Sequence, residues 1–96
     1  MHARVTTISG SADDLDEGIA GFRANVLPFA QEQGMGAILL VDRESGKTIA
    51  ITLWDDEAAL VASDEAANAL RADAASQLGA TATPTVERYE VAIFEA

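Results

Sequence analysis

The sequence predicts an α+β fold with the element order β-α-β-β-α-β, and three observations predict it. Thr48 to Leu60 reads as a buried strand that turns straight into a helix. Ala12 to Gln33 carries one apolar stripe at helical spacing. The two strand-and-helix halves also resemble each other faintly, Thr6 to Leu15 against Ile51 to Leu60.

The first strand is expected over His2 to Ser9. Alternation puts Ala3, Val5 and Thr7 on one face and His2, Arg4, Thr6 and Ile8 on the other. Gly10 and Ser11 make a turn, and Ser11 or Asp13 caps the helix that follows. In that helix Leu15, Ile19, Phe22, Val26 and Phe29 are spaced 4, 3, 4 and 3, the stripe of a helix lying on a core. Gly18 and Gly21 each cost roughly 1 kcal/mol of helix propensity. Their compensation is expected to be close approach to the sheet or to a ligand. Pro28 removes a backbone donor and is expected to kink the last turns.

Gly34-Met35-Gly36 ends the helix, and Ala37 to Asp42 is the second strand. Arg43 to Gly46 is a hairpin loop with Gly46 suited to a positive φ. The third strand, Thr48 to Trp54, is rich in β-branched residues that fit a pleated surface. Asp55, Asp56 and Glu57 then favour a helix start, with Asp55 the expected N-cap. The second helix is expected over Asp56 to about Leu78, broken at Ser63-Asp64 into a short and a longer piece. Leu60, Ala67, Leu70, Ala74 and Leu78 face the core. Eleven alanines between Ala58 and Ala82 make it thin. The last strand is expected over Val86 to Glu95.

This order is the split βαβ, or ferredoxin-like, pattern, a four-stranded antiparallel sheet with two helices on one face. The third strand is apolar on both faces, with Ile49, Ile51 and Leu53 on one and Ala50 and Trp54 on the other. Helices on one side of a sheet cover only one of these. The second cover is expected to be another copy of the chain, giving a homodimer.

The chain has 96 residues and is expected to be one domain, 1–96. It has no cysteine, which excludes disulfides, thiolate metal sites and thiol nucleophiles. The net charge is −10, from 16 acids and 6 bases. Such a chain repels phosphate backbones and anionic lipid, so neither nucleic acid nor a membrane surface is an expected partner. No signal peptide or membrane span is read, and a cytoplasmic location is expected. Nine of the acids stand at helix starts, where they oppose the helix dipole. Asp13 to Glu17 lacks the alternating oxygens and central glycine of a calcium loop. No metal and no cofactor is expected.

At Leu53-Trp54-Asp55-Asp56-Glu57-Ala58-Ala59-Leu60, followed by Ser63-Asp64, the chain resembles the antibiotic biosynthesis monooxygenase-like group of the dimeric α+β barrel superfamily. The resemblance implies two sheets packed face to face in a homodimer, with a pocket in each subunit between sheet and helices. It implies, among other activities, cofactor-free oxidation of aromatic polyketides. The haem-degrading members of the group use an asparagine, a tryptophan and a histidine. Here the equivalent positions fall near Ala3 and among Ala59 to Leu70, which hold none of them.

Trp54, Tyr89, Phe22 and Arg23 are the candidate ligand-binding residues, as wall, hydroxyl, wall and mouth of such a pocket. No catalytic residue is assigned. Arg4 is expected to pair with a carboxylate such as Glu90 across the dimer interface. His2 is the only histidine, so no Ser/His/Asp set can be assembled. Two functions fit these residues. One is a small-molecule site for an aromatic or apolar compound, with cofactor-independent monooxygenase-like chemistry. The other is a non-catalytic dimeric binding or regulatory module.

Overall fold

The strands pair as their alternation requires. The computed structural model describes residues 1–95, and Ala96, the end of the expected domain, lies outside them. Strands β1 (His2–Ser9), β2 (Gly36–Val41), β3 (Lys47–Trp54) and β4 (Thr85–Glu90) form one antiparallel sheet in the order β2-β3-β1-β4. Helical segments cover one face of it, the α+β ferredoxin-like arrangement expected from the sequence.

The hairpin between β2 and β3 is built by Asp42. Its carboxylate accepts from the backbone N–H of Glu44 and Ser45, and those bonds hold its pKa below the usual aspartate value. Gly46 closes the loop at φ +82°, a conformation costly for any residue with a Cβ.

The first helical stretch covers the expected span but changes its winding. A 3-10 turn (Ala12–Asp14) leads into α1 (Leu15–Gly21), a π-helical turn (Phe22–Val26) and α2 (Leu27–Gln33). Ser11 caps the start by accepting from the Asp13 N–H. The wide turn lies just ahead of Pro28, which lacks an N–H and crowds the carbonyl four residues back. The helix accommodates it by bonding the Leu27 N–H to the Phe22 carbonyl instead of breaking.

The second stretch breaks where expected, into α3 (Glu57–Ala62) and α4 (Asp64–Gln77). The N-cap is Asp56, one residue later than Asp55. Asp56 is extended, and its side chain accepts from the Ala59 N–H at 2.8 Å.

The last strand is shorter than expected. β4 pairs with β1 from Thr7↔Thr85 to His2↔Glu90. Beyond that point the Val91 N–H still reaches the Met1 carbonyl, and Val91 to Glu95 lie outside the ladder, with Ile93 and Phe94 exposed.

The layer between sheet and helices is filled at its two ends. At one end Ile8, Leu15 and Leu78 pack together, with Val41 and Ala74 against them. At the other, Trp54 and Leu60 are fully buried. Gly18 makes the first cluster feasible. A Cβ there would overlap the side chain of Leu78, and one at Gly21 would overlap Gln77. The glycines thus allow close approach of the first helical stretch to α4, not to the sheet or a ligand as the sequence suggested. Gly18→Val is expected to cost about 1–3 kcal/mol through overpacking, measurable as a lower urea midpoint at unchanged slope.

Among the described residues no helix covers the opposite face of the sheet. Ile38 and Leu40 of β2 are exposed there, and Ile49, Ile51, Leu53 and Val5 are only half-buried. Among the described residues no helix is long and apolar enough to cross a membrane.

Candidate functional site

Between the two packed ends the layer stays open, and the reason is small side chains. β1 offers Thr6 beside Arg4, β3 offers Ala50 and Thr52, and α4 offers Ala67 and Ala74. Phe22, Val26 and Phe29 close the space from the other side. The result is an inner cavity of about 60 Å³. A second groove of about 270 Å³ opens between α1, the π-helical turn and β2, walled by Ile19, Leu27, Leu39 and Val41 with Arg23. Phe22 is a wall of both. It stands at the first position of the π-helical turn, where the change of winding sets its direction.

Arg4 is the polar centre. Alternation on β1 puts it on the helix-covered face, where it is 3% exposed. Its Nη2 donates to the Leu60 carbonyl at 2.9 Å, to Ser63 Oγ at 3.0 Å and to Asp64 Oδ1 at 2.5 Å. Ser63 Oγ in turn donates to the Leu60 carbonyl. The helix break therefore has a use, since it exposes a carbonyl and a hydroxyl to Arg4. The expected pairing of Arg4 with Glu90 across a subunit interface is corrected by this arrangement. The face that carries Arg4 is the one the helices cover, and its carboxylate partner is Asp64.

Asp64 also accepts from Arg88 at 3.0 Å. That bond first, and then the one from Arg4, holds its pKa below the usual aspartate value against the effect of burial. Arg71 lies two turns further along α4 and also lines the inner cavity. Burial lowers its pKa, as does repulsion from Arg4 and Arg88, although Asp64 opposes the shift. An arginine stays protonated at neutral pH even so.

Trp54 holds Arg4 from behind. The guanidinium carbon lies 5.6 Å from the indole centre, within cation–π range. The indole N–H donates to Thr52 Oγ1 at 3.0 Å, and Phe29 meets the ring edge-on at 5.7 Å.

Of the four candidates from the sequence, Phe22 and Arg23 reach a cavity wall. Trp54 lies one layer behind Arg4 and lines neither cavity. Tyr89 lies on the helix-free face, 51% exposed, and donates to Glu87. That bond to a carboxylate raises its pKa. Tyr89 is thus separated from the cavities by the sheet itself. His2 is on the helix-covered face but lines neither cavity. Its Nδ1 is buried without a hydrogen-bond partner among the described residues.

Sequence reasoning missed Arg71. The signal was present: Arg71 is four residues after Ala67 and three before Ala74, inside the core-facing stripe. Among the described residues no cluster of His, Cys, Asp or Glu could hold a metal ion. The ionisable cavity-lining groups are Arg4, Arg71 and Arg23. These walls can exclude water and stabilise negative charge, but they offer no proton acceptor.

Comparison with known proteins gives relatives and a fold. No family model matches the chain. Two uncharacterised proteins of Mycobacterium tuberculosis, Rv2557 and Rv2558, are 39% identical over 94 residues and 38% identical over 95. These matches cover 96% and 97% of this chain but only 41% and 39% of the relatives. The chain therefore spans about two fifths of the length of the curated relatives it matches.

Among solved structures, the monooxygenase from the gene ActVA-Orf6 of Streptomyces coelicolor, in complex with Nanaomycin D, aligns with a TM-score of 0.74 at 16% identity. The protein of unknown function NE2512 from Nitrosomonas europaea aligns with a TM-score of 0.72 at 22% identity. Each alignment covers 99% of this chain and 92% of the other. The resemblance carried by Leu53 to Leu60 holds at the level of architecture: this chain has the fold of the antibiotic biosynthesis monooxygenase-like group.

Proposed function

We propose that the chain forms a homodimer through the helix-free face of its sheet and holds one small, mainly apolar molecule per subunit between sheet and helices. Its role there is cofactor-independent, monooxygenase-like oxidation. The observation that carries this reading is the pair of spaces sharing Phe22, about 60 and 270 Å³. The larger lies close to the lower end of the roughly 300–1,000 Å³ usual for ligand pockets. The fold, shared with a monooxygenase, supports the chemistry. The exposed Ile38 and Leu40 beside half-buried Ile49 and Ile51 support the dimer, since contiguous apolar patches on a protein surface mark contacts.

In such a reaction the substrate itself delivers electrons to oxygen. A ring methylene becomes a ketone, one oxygen atom of O₂ enters the product and the other leaves as water. The walls contribute an apolar cage and positive charge near the developing anion. The second reading, a non-catalytic binding module, is favoured by one observation. Among the described residues no carboxylate, histidine or tyrosine lines either space, so proton removal would fall to solvent or to the substrate's own acidity.

Oxygen uptake with anthrone as probe separates them. The monooxygenase-like reading expects uptake proportional to protein and well above the spontaneous rate. The binding reading expects anthrone to bind without added uptake. Absence of binding by any probe overturns both. Sedimentation is expected to give a dimer for the wild type and a monomer for Ile51→Glu. A wild-type monomer at micromolar concentration would sink the dimer.

A further inference from the structure

The inner cavity is charged in a way that the rest of the chain is not, and this points to the molecule it takes. The inference rests on the pocket reading above. The chain carries −10 overall, yet half of its six bases gather here. Arg4 and Arg88 share the single carboxylate of Asp64, and Arg71 is close enough to feel both guanidiniums. Three positive charges against one negative leave a local surplus of two.

Two of these bases, Arg4 and Arg71, belong to the cavity wall, while Arg88 stands outside it, half exposed. Arg4 spends only its Nη2 on the protein. Its Nε and Nη1 are buried with no hydrogen-bond partner among the described residues, and so is the Nε of Arg71. Buried donors are nearly always matched, and a charged one without an acceptor is costly. Both arginines line the same cavity, whose other walls are methyls, aromatic rings and two threonines.

Size narrows the ligand further. The inner cavity, about 60 Å³, is under half of the roughly 150 Å³ that accommodates benzene. It suits a head group and not a ring. The groove of about 270 Å³ on the far side of Phe22 suits the ring.

We propose that the site takes a small apolar acid. Its hydrophobic body lies along Phe22, and its one anionic oxygen group, a carboxylate or a phenolate, is received by the unmatched N–H donors of Arg4 and Arg71. Charge-assisted hydrogen bonds of this kind are roughly twice as strong as neutral ones. The net negative charge of the chain weakens indiscriminate attraction of anions, so selection falls to these donors.

The test is a chemical-shift titration of the wild-type protein with 2-naphthoate and with its neutral counterpart 2-naphthylmethanol. Naphthoate is expected to bind about tenfold tighter or more, with shifts at the Phe22, Ala67 and Arg71 amides. Arg71→Met, which keeps the apolar stem, is expected to shrink that preference several-fold, and Arg71→Lys to keep part of it. Titrating 2-naphthol from about pH 7 to about pH 11, across the ordinary phenol range, separates the two anions. A lowered pKa for bound naphthol supports phenolate recognition, and an unmoved one overturns that member of the class. Equal affinity for naphthoate and the alcohol overturns the proposal while leaving the pocket reading in place. Failure of every probe to bind overturns both. A naphthoate preference that survives Arg71→Met, with shifts elsewhere, overturns the assignment to this cavity.

Discussion

Trp54→Ala is expected to lower stability by about 3–5 kcal/mol, the range for removing a large aromatic from a core. Against a total of about 5–15 kcal/mol for a typical domain, that approaches loss of the fold. The ring is 1% exposed at the end of β3. It fills the gap beneath the α2 C-terminus, where the chain comes so near that a Cβ on Gly34 would stand 2.9 Å from the ring. Deleting the indole also removes the edge contact of Phe29 and the surface on which Arg4 rests. Trp54→Phe is expected to cost less, about 1–2 kcal/mol, because a ring remains while the bond to Thr52 is lost. Urea denaturation followed by circular dichroism measures both, since Trp54 is the only tryptophan and its fluorescence vanishes with it. An alanine variant within 1 kcal/mol of wild type would mean that the ring is not what holds this end together.

Arg4→Met is expected to cost about 2–4 kcal/mol. Breaking a buried ion pair typically costs about 3–5 kcal/mol. The lower figure applies because Asp64 is 33% exposed and keeps Arg88. What is lost besides charge is the tie between β1 and the helix break, since Leu60 O, Ser63 Oγ and Asp64 all accept from the one Arg4 Nη2. Arg4→Lys is expected to recover only part, because an ammonium lacks the planar fork.

The same network predicts a pH dependence. The pKa of Asp64 is lowered on folding, so its contribution is complete above the ordinary aspartate value, about 3.9. It is lost as pH falls below that value through the lower folded pKa. Asp64→Asn is expected to flatten this acid limb of the stability curve. A limb unchanged in Asp64→Asn would assign the acid sensitivity to other carboxylates.

Much of this was legible in the chain, because local order follows local pattern. The β-branched run of β3, the 4-3-4-3 stripe of the first helix and the acids at each helix start depend only on neighbours. They determine element type, sequence and approximate length. Trp54 before an acidic pair also placed the chain in the right fold. Boundaries set by a partner were not legible: β4 stops at Glu90, opposite His2 at the start of β1, which no reading of Val91 to Glu95 could show.

The site depended on a choice that the pattern of β1 leaves open. Its two faces, Ala3-Val5-Thr7 and His2-Arg4-Thr6-Ile8, are both plausible inner faces, and the first is the more apolar. The packing of the helices decides which one is covered, and that belongs to the path of the chain in space. It turned Arg4 inward to Asp64 and put Tyr89 on the far side of the sheet. It also brought Arg71, a residue in an otherwise alanine-rich stripe, to the same cavity across a long separation in sequence. By itself the sequence determined the elements, their order and the two-sided character of the sheet, because these follow from spacing along the chain. Only the tertiary structure decided which charges meet, because a buried arginine finds its partners by proximity across the fold.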